Sequence, residues 1–146
     1  MTGRIAIIGA GAAGLVTARE MVRAGHRPTV FEQGSRIGGV WVYSPHTEAD
    51  PLGHHGPRIH SSLYASLRTN LPRDLMAFID FPFDTPADAP DEWPRFPGHP
   101  CVLAYLEAFT RHYQLSPLIR FGTRVTRIEP VGDQWQVRTR SEHGQE

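Results

Sequence analysis

The run AIIGAGAAGLVTARE, residues 6–20, sets glycine at positions 9, 11 and 14 between an apolar, β-branched stretch and a segment of helical spacing. No other part of the chain restricts the fold as strongly. Glycines at these intervals suit a strand that turns sharply into a helix with its backbone free for close approach. Arg4 to Ile8 reads as a buried parallel strand. Ala12 to Ala24 reads as a helix, with Leu15, Val16, Met21 and Val22 on a face shared with the small Ala13 and Ala18. Gly25 stands where helices commonly end, and TVFE then reads as a second strand finishing on Glu32. Strand, turn, helix and strand form a βαβ unit, whose crossover is expected to be right-handed.

A lone G-x-G-x-x-G arises often by chance, and its competing reading is a plain flexible turn. Context favours a nucleotide cradle, because the motif follows a strand, opens a helix and precedes an acid by about 20 residues. Gly9 permits the tight turn, Gly11 lets backbone approach a pyrophosphate, and Gly14 lets helix and strand pack closely. With Ala10, Ala12 and Ala13 between them, these residues present unpaired amides and the positive end of a helix to phosphate. Glu32, followed by Gln33, is placed to accept hydrogen bonds from a ribose diol and to repel a 2′-phosphate. FAD or NAD is therefore expected in the cradle rather than NADP.

The remaining composition narrows the field. A chain of 146 residues has the size of one ordinary domain. Its 15 basic and 15 acidic residues balance, which favours neither nucleic acid nor an anionic membrane. Every basic residue is arginine, so a P-loop, a Schiff-base lysine and a Ser-Lys dyad are excluded from these residues. The single Cys101 forms no internal disulfide, and the chain opens directly on a strand pattern without a leader, so a reducing cytoplasm is expected. No apolar run approaches the roughly 18 residues of a membrane-spanning helix.

From Gln33 to Pro100 the chain is rich in proline, glycine and histidine, which suggests ordered loops with a short helix after Pro72. Glycines 38 and 39 would let backbone pass close to an extended ligand, the alternative being an ordinary loop turn. A helix is expected from about Pro100, at its first position, to Tyr113, with Val102, Leu106, Phe109 and Tyr113 as its stripe. The last segment, IRFGTRVTRIEPVGDQWQVRTR, suggests a short strand and a β-hairpin turning at VGDQ.

The segments IAIIGAGAAGL, VFEQGSRIGGVW, SLYASLRTNLPRDLMAFIDFPF and VLAYLEAFTRHYQLSPLIRFGTRVTRIEP together resemble the amino-terminal FAD-binding part of flavin-containing monooxygenases, in order and across almost the whole chain. The resemblance implies an α/β fold, a Rossmann-like FAD-binding βαβ with a β-hairpin or meander. It implies that Gly9 to Gly14 hold the FAD pyrophosphate, Glu32 the adenosine ribose, and that Gly39, Val40 and Trp41 run along the flavin. Val125 matches a segment whose backbone meets the adenine, and Thr69, Asn70 and Leu71 match the loop that carries an active-site asparagine. A carboxamide both donates and accepts hydrogen bonds without ionising, which suits Asn70 to hold reactive flavin and nicotinamide without releasing a proton. The plainer reading of Asn70 is a cap for the short helix.

Other signals carry less. His54, His55 and His60 lack accompanying acids or cysteines at metal-ligand spacing, Cys101 suits a packing role, and Ser61 and Ser62 lack a nucleophile-elbow context. The resemblance implies NADPH as reductant, bound mostly outside this chain, since no second G-x-G-x-x-G occurs in it. The domain is therefore expected to be incomplete over 1–146: truncated, completed by a second polypeptide, or a remnant. The expected reaction transfers one oxygen atom from O2 to a small nitrogen or sulfur compound. The alternatives are a non-catalytic nucleotide-binding subunit and another flavoprotein, such as an amine oxidase or a Baeyer-Villiger enzyme.

Overall fold

Arg4–Ile8 forms β1, and α1 (Ala12–Arg23) carries the chain across to β2 (Arg27–Phe31), which pairs with β1 in parallel from Arg4 opposite Arg27 to Ile8 opposite Phe31. The computed structural model describes residues 2–46, 61–85 and 93–141. The chain divides into two compact units, one built from residues 1–37 and 113–146, the other from residues 38–112.

In the first unit α1 packs on β1 and β2. Its end is set by sequence chemistry. Gly25 takes φ +78°, its N–H donates to the Val22 carbonyl, and the His26 N–H reaches back to the Met21 carbonyl. This pair of bonds closes orphan carbonyls of the last turn, which only a residue tolerant of left-handed backbone permits cheaply. The strand β3 (Ile119–Arg120) joins the free side of β2 in parallel, giving the order β1-β2-β3. The strands β4 (Thr123–Val131) and β5 (Gln134–Ser141) form an antiparallel hairpin around Gly132, with a register shift between Val125 and Arg127. Ile7, Leu15, Ala18, Val30, Leu115 and Ile119 are buried in this unit.

Two expectations need correction here. The buried residues of α1 are Leu15, Ala18 and Arg19, whereas Ala13 is exposed and Val22 is 48% exposed. Arg19 takes an inward position because its Nη1 donates to the Tyr113 hydroxyl at 3.3 Å while its guanidinium lies 4.9 Å from that ring's centre. The strand β1 is parallel as expected but not sealed: it forms an edge of the described sheet, and only Ile7 of its five residues is buried.

The second unit is held by aromatic packing around α3 (His99–His112). Phe83 stacks on Tyr105 with centroids 4.0 Å apart, Phe81 meets Phe109 edge-on at 5.3 Å, and Phe83 meets Trp93 edge-on at 5.5 Å. Such pairs are worth about 0.5–1.5 kcal/mol each beyond burial. Tyr105 also ties a loop, its hydroxyl donating to the Phe81 carbonyl at 2.7 Å and accepting from the Phe78 N–H at 2.8 Å. The stripe Val102, Leu106 and Phe109 is buried as expected, but α3 starts one residue earlier, at His99, and stops before Tyr113. The short helix after Pro72 is α2 (Arg73–Met76). Among the described residues no helix is long and apolar enough to cross a membrane.

Candidate functional site

The glycine turn shows three different uses of one residue type. Gly9 takes φ +90°, where a side chain would strain the backbone although nothing lies within 4 Å of a Cβ built there. Gly14 is helical, but a Cβ on it would collide with the Gly9 carbonyl oxygen and sit 3.6 Å from Ile7. Gly11 is extended (φ −78°, ψ −177°), a conformation open to any residue. Its lack of a side chain thus answers no backbone demand, which is what close approach by a ligand requires. As the N-terminal cap of α1, Gly11 offers no side-chain hydrogen bond, and the first turn holds no acid. The first turn of α1 thus supplies no side-chain anion to its own positive end.

Glu32 comes to this turn. Its Oε2 accepts from the buried Ala10 N–H at 2.7 Å, and its Oε1 accepts from the Gly34 N–H at 2.7 Å. Its own backbone is locked on both sides, the N–H donating to the Arg120 carbonyl at 2.9 Å and the carbonyl accepting from the Thr123 N–H at 2.8 Å. Phe31 accepts from the Gly9 N–H at 2.8 Å, closing the turn onto β2. The carboxylate braces the loop, a task its position at the strand tip did not reveal, and each oxygen keeps a second lone pair for a diol. Ala12 and Gly14 are partly exposed, Ala13 and Gln33 are exposed, and Val125 lies half-buried on β4.

The other candidates belong to the second unit. Gly39–Trp41 forms a single 3-10 turn preceded by Gly38 at φ +121°, where a Cβ would come within 2.5 Å of Leu103 on α3. Gly39 itself has φ +57°, Val40 is exposed and Trp41 is half-buried. The Ser61 hydroxyl donates to the Val40 carbonyl at 2.7 Å and accepts from the Leu63 N–H at 3.3 Å, so this serine is a tether rather than a nucleophile. The loop Thr69–Leu71 is pinned from both ends. The Thr69 N–H donates to the Pro97 carbonyl at 3.0 Å and its hydroxyl to the Leu71 carbonyl at 2.8 Å, while the Arg73 N–H meets the Arg95 carbonyl at 2.8 Å. Arg73 Nη1 also donates to the Trp93 carbonyl at 2.7 Å. Leu71 and Asn70 are exposed. The capping reading of Asn70 is overturned: Pro72 is the cap residue of α2, and no side chain caps that helix.

Cys101 is partly exposed in the first turn of α3, and among the described residues no cluster of metal-ligating side chains occurs. His54, His55 and His60 lie outside the described residues.

A parallel βαβ with an uncapped helix start, three glycines in these roles and an acid seated at the turn defines a dinucleotide-binding module. The chain belongs to the flavin-binding monooxygenase-like family, whose model matches residues 2–146. It is 52% identical over 143 residues to a putative flavin-containing monooxygenase, FMO GS-OX-like 10, of Arabidopsis thaliana, covering 94% of this chain and 32% of that protein. Among solved structures it is similar to S-allyl-L-cysteine S-oxygenase from Allium sativum, with TM-score 0.90 and 50% identity over 99% of this chain and 33% of that one. A steroid monooxygenase bound to NADP matches at TM-score 0.71 and 26% identity, over 96% of this chain and 23% of that one. The chain therefore spans about a third of the length of the curated relatives it matches.

Proposed function

We propose that this chain is the FAD-binding portion of an FAD- and NADPH-dependent monooxygenase that places one oxygen atom from O2 on a soft sulfur or nitrogen atom of a small molecule. The observation that carries this is the seating of Glu32 at the Ala10 amide beside the uncapped start of α1, in a chain 50% identical to an S-oxygenase. The residues fit the cofactor. Gly9 to Gly14 would hold the pyrophosphate at the start of α1, Glu32 with Gln33 the ribose, Val125 the adenine by its backbone, and Gly39, Val40, Trp41, Thr69 and Leu71 the flavin side. FAD, when bound and reduced by NADPH, supplies the activation of O2. The chain's own part is to bind, orient and withhold protons. Asn70, on a loop pinned at Thr69 and Arg73, offers a carboxamide that donates and accepts without titrating. The NADPH site falls mostly outside these residues, and a second polypeptide is one way to supply it. A reducing cytoplasm suits the free thiol of Cys101.

The test has two parts. The 146-residue chain, refolded with FAD and desalted, should retain flavin absorbance. A chimera joining it to the remaining two thirds of the Allium sativum S-oxygenase should then oxidise NADPH in a manner dependent on a thioether substrate. Asn70→Ala in that chimera should keep its flavin while hydrogen peroxide replaces product by about tenfold. Unchanged coupling would remove Asn70 from the reaction, and failure to hold flavin would remove the cradle.

A further inference from the structure

The β4–β5 hairpin carries a charge pattern made of residues to which the proposed cofactor site gives no role. Its register sets Arg124 opposite Arg140 and Arg127 opposite Arg138. In a regular strand, positions 124 and 127 would point to opposite faces, because side chains alternate. The register shift between Val125 and Arg127 removes that difference, leaving Thr126 as the extra residue, its hydroxyl donating to the Arg138 carbonyl at 3.2 Å. On the regular partner strand Arg138 and Arg140 are two apart and share a face. The bulge thus gathers four arginines on one side of the hairpin. Exposure agrees: all four are exposed, while Val125, Val137 and Thr139 are half-buried.

Like charges directly opposite each other destabilise an antiparallel pair. One row has its anion, since the Glu129 carboxylate accepts from Arg127 Nε at 2.7 Å and from Arg138 Nη2 at 2.8 Å. Among the described residues, Arg124 and Arg140 have no acidic partner. Among the described residues, four guanidinium groups against one carboxylate leave this face positive over two rows spaced about 7 Å along the strands.

We infer that this face is a binding site for a compact ligand bearing two or more phosphoryl groups. Guanidinium forks engage phosphoryl oxygens bidentately and keep their charge at any working pH. Two rows suit a short polyanion, and a formal net charge of +0 does not favour a nucleic acid or an anionic bilayer. Alternation also puts Ile128 and Trp135 on the other face, away from the arginines.

Calorimetric titration of the 146-residue chain with inorganic tripolyphosphate tests the site. Arg124→Gln with Arg140→Gln should weaken binding by about tenfold. Glu129→Gln, which frees guanidinium hydrogens of Arg127 and Arg138, should tighten it about threefold and serves as the independent reading if the double variant folds poorly. Both variants should bind FAD as the parent does. Unchanged tripolyphosphate affinity in either folded variant overturns the inference, because binding then occurs elsewhere, the glycine turn included. Tighter binding of a polyglutamate peptide of equal charge also overturns it, in favour of an acidic polypeptide.

Discussion

Gly9 and Gly14 are irreplaceable for opposite reasons, and the difference is measurable. Gly9 has room for a methyl group but a left-handed backbone, so Gly9→Ala should cost about 1–2 kcal/mol in strain. Gly14 has an ordinary helical backbone, where alanine would normally gain about 1 kcal/mol. Its methyl would meet the Gly9 carbonyl, so Gly14→Ala should instead destabilise by roughly 1–3 kcal/mol and loosen flavin. Urea denaturation of the two variants checks this, and a Gly14→Ala chain as stable as the parent would mean that helix and turn are further apart than described. Glu32→Gln should cost about 1–3 kcal/mol, because one of the Ala10 and Gly34 amides loses its acceptor. Stability equal to the parent would show that the carboxylate does not brace the loop.

Among the elements, α3 closely meets the 3-10 turn at Gly39–Trp41 through Leu103 and the turn's preceding residue Gly38. Gly38→Ala should destabilise through both its φ of +121° and its collision with Leu103. Adding Leu103→Ala should restore part of that loss, giving a coupling of about 0.5–3 kcal/mol in a double-mutant cycle. Additive effects would place the cost in backbone strain alone. Much at this scale was legible in the sequence. The βαβ unit, α3 and the hairpin announce themselves through apolar period, glycine placement and the VGDQ turn, all of which act locally. What was hidden depends on distant partners. Arg19 meets inward a ring and hydroxyl from Tyr113, 94 residues later, and the bulge at Thr126 exists only relative to β5. The bracing of Ala10 by Glu32 was half-visible: the acid's position was readable, its bonds to the turn were not. The aromatic cluster of Phe81, Phe83, Trp93 and Tyr105 mixes loop and helix residues that share no period.

At the scale of the whole molecule, the 146 residues hold one glycine-rich nucleotide motif and span about a third of their relatives. The isolated chain should therefore bleach no NADPH when loaded with FAD, even with substrate and oxygen present. Reductant consumption above the free-flavin background would show that a second nucleotide finds a seat in these residues. The outer side of β1 also matters. Within the described sheet it pairs with β2 alone, and Ile8 is 56% exposed. A row of amides and carbonyls with an isoleucine at its tip is a template for another strand. For anyone handling this polypeptide alone, dilution thus becomes a variable in its own right: light scattering should climb with concentration, and a proline installed at Ala6 should slow that climb by denying newcomers a donor.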